Sequence, residues 1–232
     1  MGTMKAIVAT LLLMAGIAIA APDYIITEGD SMTAGYGLSA GQDWPTLMNI
    51  PGVTAVNLSR SGARVDDCTP GTRISTPMTT DGSNDQVAVL WIGYNDVKVP
   101  RTAADIYTDI TTWHTTIMTA RPLAKTVIAT VVDGGSFGSK AAGMTAKRVI
   151  LGELNTLIRA NAAGFDAVVD INAHAVAADW EDTTYRDADG THFNLAGTEI
   201  ISDLFQAAIL SLYTGLTVTG SINITGTLHV GP

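Results

Sequence analysis

Five near-continuous apolar runs, at residues 24–27, 53–58, 87–92, 126–132 and 167–171, constrain this chain more than any other feature. They are rich in β-branched residues and lack the polar alternation of a strand with one wet face. Such runs are expected as strands of a parallel sheet buried on both faces. Between them the apolar period changes to that of a helix. Ile106, Ile110, Trp113 and Ile117 share one face of a helix opened by the capping pair Thr102 and Asp105. Val149, Ile150, Leu154, Leu157 and Ile158 form a second stripe that closes near Gly164, and a third runs from Leu195 through Ile200, Ile201, Leu204 and Phe205 to Ile209. Alternating strand and helix units predict the α/β class: a three-layer α/β/α sandwich on a five-stranded parallel sheet, with right-handed crossovers.

Ligands of an open parallel sheet bind beyond the carboxyl ends of the strands, and four polar blocks fall at such ends or in loops. Gly29-Asp30-Ser31 follows the first run, Asn57-Leu58-Ser59-Arg60-Ser61-Gly62 the second and Gly93-Tyr94-Asn95-Asp96 the third. Asp189-Gly190-Thr191-His192 stands just before the last helix. A serine hydroxyl is a poor nucleophile until a neighbouring imidazole takes its proton. Acyl transfer needs that pair, a carboxylate fixing the base's tautomer, and donors for the oxyanion. Ser31, His192 and Asp189 suit the first three roles, and Asp187 is a weaker competitor for the third. The backbone N–H of Ser31, the N–H of Gly62 and the amide of Asn95 suit the oxyanion. A missing side chain at Gly62 lets substrate approach the backbone, and an amide donates without titrating. Asp30 is expected to brace the turn through its carboxylate.

These blocks, in this order, resemble the SGNH (GDSL-type) hydrolase family, named for its Ser, Gly, Asn and His. The resemblance covers residues 24 to about 212, with Asp three residues before His. It implies a flavodoxin-like sandwich and an esterase mechanism, with roles for Ser31, Gly62, Asn95, Asp189 and His192. The sequence departs from the family pattern at Met32, where Leu is usual, and at Glu28, where an apolar residue often stands.

Other candidates have plainer readings. His114 beside Trp113 is expected as a half-exposed helix histidine, and His174 likewise follows the fifth run without a partner motif. Cys68, the only cysteine, excludes an internal disulfide and is expected to be a bystander thiol. The glycine-rich stretch from Asp133 to Gly138 lacks a Walker lysine and Gly-x-Gly-x-x-Gly spacing, so a mobile loop beside the site is expected rather than a phosphate cradle. No Cys/His cluster has metal-ligand spacing, and no cofactor is implied.

The termini differ from the domain between them. Lys5, an uncharged apolar run to Ala20 and the small pair Ala18 and Ala20 describe a signal peptide over 1–20, cleaved after Ala20, with a retained membrane anchor as the alternative. A secreted or periplasmic protein is expected. Residues 21–212 form the hydrolase domain. In the tail, 213–232, Leu216, Val218, Ile222, Ile224, Leu228 and Val230 alternate in three hexads, with Gly220 and Gly226 in step. That is strand periodicity with a short repeat, and such rungs need a neighbour. Residues 214–232 are therefore read as a homo-oligomerisation segment, the alternative being a hairpin folded back on the domain. His229 lies in this tail and is not a catalytic candidate.

With 13 Lys and Arg against 22 Asp and Glu, the formal charge is −9, which argues against a nucleic-acid partner. The expected function is a serine esterase acting on short-chain acyl esters, such as O-acetyl groups on a glycan. No long apolar lid segment stands near the blocks. Within the same mechanism the alternative is a lysophospholipase or thioesterase. From another class, the alternative is a glycan-binding module on a fibre that keeps the fold without the chemistry.

Overall fold

A computed structural model describes residues 21–68, 85–137 and 145–214. The expected signal peptide, the tail hexads and Gly138 lie outside the described residues. In chain order the elements are β1 (Tyr24–Gly29), α1 (Ser31–Ala34), α2 (Trp44–Leu47), β2 (Thr54–Asn57), β3 (Gln86–Trp91), α3 (Tyr94–Lys98), α4 (Ala103–Ala120), β4 (Lys125–Ala129), α5 (Ala146–Ala160), β5 (Ala167–Val169), α6 (Ala175–Ala178) and α7 (Leu195–Thr214). Single 3-10 turns lie at Val65–Asp67, Gly135–Phe137 and Ile171–Ala173.

The five apolar runs pair as one parallel sheet in the order β2-β1-β3-β4-β5, the flavodoxin-like order. The central strand β3 is buried at every residue, as a strand covered on both faces must be. On one face, Trp113 of α4 donates to the buried Glu28 carboxylate at 2.8 Å, and α4 packs on α5. On the other, Trp91 of β3 meets Phe205 of α7, which stacks on Trp44 of α2 with ring centroids 3.9 Å apart. Glu28 is thus an internal acceptor for an indole, which explains a carboxylate where an apolar residue is usual. By length and composition α7 is apolar enough to cross a membrane, yet Phe205 and Ile209 pack in the core. It runs to Thr214, two residues past the expected domain end.

Several sequence expectations change in detail. The fourth run leaves the ladder at Ala129 rather than 132, because the buried Asn155 amide pairs with both Val131 N–H and Val131 C=O, at 2.8 and 2.7 Å. The fifth ends at Val169, since Asp170 caps the following turn by accepting from the Ala173 N–H. On α5 the buried face is Leu151, Leu154, Asn155 and Ile158, while Val149 is exposed. Val149 stands two residues from Leu151, which in a helix turns it to the opposite side. His114 is buried rather than half-exposed: its Nε2 lies 3.2 Å from Thr126 Oγ1 and its ring packs on Phe165. Burial holds its pKa below the ordinary histidine value. Cys68 is buried in the core.

Phe205, fully buried between Trp44 and Trp91, ties α7 to the sheet. Phe205→Ala is expected to cost about 3–5 kcal/mol of stability in chemical denaturation. A cost under about 1 kcal/mol would contradict this packing role.

Candidate active site

The strand order reverses at β1, with β2 on one side and β3 on the other. A crevice forms at such a switch point, beyond the carboxyl ends of the strands. Ser31 follows β1, Gly62 follows β2 and Asn95 follows β3. The loop carrying Asp189 and His192 arrives at the same edge ahead of α7.

Local chemistry fixes Ser31 as the first residue of α1. Asp30 is the N-cap, its Oδ1 accepting from the Met32 N–H at 3.0 Å. Gly29 is required by space: a Cβ there would lie 2.4 Å from both Trp91 O and Thr33 Oγ1. The chain can therefore turn tightly from sheet to helix only with glycine before Asp30. Asn57, at the end of β2, braces the turn by donating to Thr33 O at 2.8 Å and to Asp43 Oδ1 at 3.1 Å.

Asp189 and His192 share one short loop. Asp189 Oδ2 lies 2.5 Å from His192 Nδ1, and His192 Nε2 lies 2.8 Å from Ser31 Oγ. An ionised carboxylate only accepts, so Nδ1 carries the proton and Nε2 is left to accept from the serine hydroxyl. Asp189 Oδ1 also accepts from the Thr191 and His192 N–H groups, at 2.8 and 3.0 Å. Partial burial opposes ionisation of Asp189, but these N–H donors and the imidazole outweigh it and hold the carboxyl below the usual carboxylate range. Asp187 makes no hydrogen bond to the imidazole ring, whose nitrogens pair with Asp189 and Ser31; its N–H donates to His192 O at 2.9 Å and helps close the loop.

Arg186 holds this loop from beneath, and sequence reasoning did not find it. It is only 1% exposed. Its Nη1 donates to Thr191 O and its Nη2 to Ala177 O, both at 2.6 Å, while the guanidinium lies 3.7 Å from the Phe193 ring centroid. Burial pulls its pKa down to about 10, so it keeps its charge at neutral pH. Tyr94 acts from the side, its hydroxyl 3.1 Å from Thr191 Oγ1 and 2.6 Å from Ser136 Oγ. The described part of the glycine-rich loop is tied down rather than loose. The Gly135 N–H donates to Gly190 O at 2.9 Å, and Asp133 pairs with Arg148 at 2.7 Å.

Gly62 sits in a turn, closed by the Ala63 N–H donating to Arg60 O at 3.1 Å, and its φ of +82° favours glycine. The Arg60 N–H donates to Gly29 O at 3.1 Å, which fastens this turn to the strand that delivers Ser31. Asn95 lies in the first turn of α3, directly after β3 as its block's position implied. Its Nδ2 donates one proton to Ala63 O at 3.0 Å, leaving the second for another acceptor. Asp96 beside it is fully buried, accepting from the Val65 N–H at 3.1 Å and pairing with Arg101 at 2.6 Å. The segment that follows Gly62 is thus joined to the third block through both residues of the Asn95-Asp96 pair. His174 is a helix cap at α6, accepting from the Ala177 N–H at 3.4 Å, and takes no part in this site.

The model of the GDSL-like lipase/acylhydrolase family matches residues 29–200. Among solved structures, the chain is similar to a member of the lipolytic G-D-S-L protein family from Veillonella parvula. The two share 22% identity over 78% of this chain and 94% of that one, with a TM-score of 0.61. A psychrotrophic esterase from a Pseudoalteromonas species shares 16% identity over 81% of this chain and 96% of its own, with a TM-score of 0.59. An acetyl xylan esterase shares 17% over 80% and 99%, also at 0.59. Among curated proteins, no sequence match was found.

Asp30 carries the strongest electrostatic signature at the site. It is 1% exposed, its Oδ2 has no partner among the described residues, and burial, aided by the nearby Asp96 carboxylate, pushes its pKa up to about 7. Between the unfolded value of 3.8 and 7, the unfolded chain binds fewer protons than the folded one, so rising pH favours unfolding. Asp30→Asn keeps the acceptor for Met32 and removes the titration. Relative to this variant, the wild type is expected to lose a few kcal/mol of unfolding free energy between pH 4 and about 8. A gap between the two that stays constant with pH would mean that Asp30 titrates as an ordinary carboxylate.

Proposed function

The chain belongs to the GDSL-like lipase/acylhydrolase family and is a carboxylic ester hydrolase, and from that premise we propose that it cleaves short-chain acyl esters through a Ser31–His192–Asp189 acyl-enzyme mechanism. The observation that carries this reading is the continuous hydrogen-bond chain from Asp189 Oδ2 through the imidazole to Ser31 Oγ.

Ser31 Oγ attacks the ester carbonyl carbon while His192 Nε2 takes its proton. The carbonyl oxygen becomes an oxyanion, received by the N–H groups of Ser31 and Gly62 and the second Nδ2 proton of Asn95. The imidazolium, steadied by Asp189, passes its proton to the departing alkoxide, and the ester C–O bond breaks to leave an acyl-Ser31. Water, deprotonated by the same imidazole, attacks that carbonyl, and Ser31 leaves with the proton returned. Each oxyanion donor is typically worth 10²–10³ in turnover. Asp189 holds the tautomer that makes Nε2 a base.

The acyl group we propose is acetyl, carried on a carbohydrate. Two considerations support it: an acetyl xylan esterase shares the fold, and the signal peptide expected over 1–20 would deliver the enzyme outside the cytoplasm, where such glycans lie.

The test is turnover of p-nitrophenyl acetate, butyrate, octanoate and palmitate by the wild type and by Ser31→Ala. Turnover should be greatest on acetate and fall by at least about 10³-fold in the variant. Preference for palmitate would move the function to lipids. An undiminished Ser31→Ala would remove Ser31 as the nucleophile.

A further inference from the structure

Tyr36 is a large aromatic side chain that the fold leaves in solvent, 57% exposed, while its backbone is fastened to the nucleophile. Its N–H donates to Ser31 O at 3.0 Å. It stands between two glycines in the left-handed region, Gly35 at φ +75° and Gly37 at φ +82°, and Gly35 is the C-cap of α1. Gly37 lies so close to the acid–base loop that a Cβ there would come within 2.9 Å of Asp187 Oδ2. The Tyr36 ring itself rests against His192, with centroids 4.5 Å apart and planes tilted by 37°. Among the described residues its phenol makes no internal hydrogen bond and no other aromatic ring packs on it.

An exposed ring on a held backbone loses little conformational freedom when something stacks on it, which is why tyrosine serves at binding surfaces. Its position decides which half of an ester it meets. The oxyanion donors come from Ser31 itself, the turn at Gly62 and α3, whereas the leaving alkoxide must reach His192 Nε2 to collect its proton. The alcohol half therefore departs past the imidazole against which Tyr36 lies.

We propose that Tyr36 is a specificity-determining residue whose ring stacks on the alcohol half of the substrate, and that this half is a neutral pyranose presenting its flat C–H face. The assignment rests on the esterase reading above and adds to it the side chain that recognises the sugar. A chain carrying a formal charge of −9 favours an uncharged sugar over an anionic one.

The experiment compares two acetate esters, tetra-O-acetyl-xylopyranose and ethyl acetate, on the wild type, Tyr36→Phe and Tyr36→Ala. Both esters form the same acetyl-enzyme, so deacylation is common to them, and kcat/KM reports the step in which the alcohol is still bound. Tyr36→Ala is expected to lose about five- to tenfold in kcat/KM on the sugar ester, the range of one aromatic stacking contact, and less than about twofold on ethyl acetate. Tyr36→Phe, which keeps the ring, should retain both activities. Equal losses on the two esters would show that Tyr36 only steadies the imidazole, and no loss on either would show that the ring is idle. Each of these results overturns the assignment and leaves the esterase reading standing. Absence of wild-type turnover on both esters overturns the acetyl-ester reading, and the assignment with it.

Discussion

The site turns on one distance, the 2.8 Å between Ser31 Oγ and His192 Nε2, two atoms whose residues lie 161 positions apart in sequence. Hydrogen bonds at this length weaken steeply when either partner shifts or tilts. Neither residue can hold the geometry alone, since one begins a four-residue helix and the other ends a tight loop. The sheet supplies the reference frame. β1 delivers Ser31 under the constraint of Gly29 against Trp91. The stack of Phe205 on Trp44 and Trp91 anchors α7, the helix that follows the histidine loop, on the same strand edge.

Charge is used here for positioning at a cost in stability. Arg186 and Asp30 are buried ionisable groups within or beside the site, and burial opposes the charged form of each. Arg186 spends its strongest donors on two backbone carbonyls rather than on a carboxylate. It therefore acts as a strut between α6 and the loop of His192. Such a group costs desolvation free energy, and in exchange the loop of Asp189 and His192 is held in one orientation. Asp30 caps α1, and its partnerless second oxygen is the accompanying cost. Asp96, by contrast, is satisfied by Val65 and Arg101, and its work is to join α3 to the turn after Gly62.

Much of this was legible in the sequence, for identifiable reasons. The inner runs were readable as buried parallel strands because both faces of β1, β3 and β4 are covered, leaving no wet face to break the apolar pattern, whereas the edge strand β2 is exposed at Thr54 and Ala55. The meeting of Ser31, Asp189 and His192 was legible as a motif order. Their distances were not, because they depend on Arg186, Tyr94 and Asn57, whose contacts are made across the fold. An arginine five residues before Thr191 has no local signature of burial. Its two carbonyl partners lie in separate elements that only folding brings together. Strand ends failed for a similar reason: Asn155 takes both backbone groups of Val131 from 24 residues away. The exposure of Val149 against the burial of Leu151 was decided by which side of α5 meets the sheet, and an apolar stripe alone cannot fix that.

If the proposed mechanism holds, the imidazole–carboxylate pair makes Ser31, and no other hydroxyl, nucleophilic. Labelling the folded protein with a fluorophosphonate, followed by peptide mapping, tests it most directly. The phosphonyl group should be found on Ser31 in the wild type, and its rate of attachment should fall by orders of magnitude in His192→Ala. Attachment to another serine, or labelling of Ser31 at an unchanged rate without the imidazole, would contradict the claim.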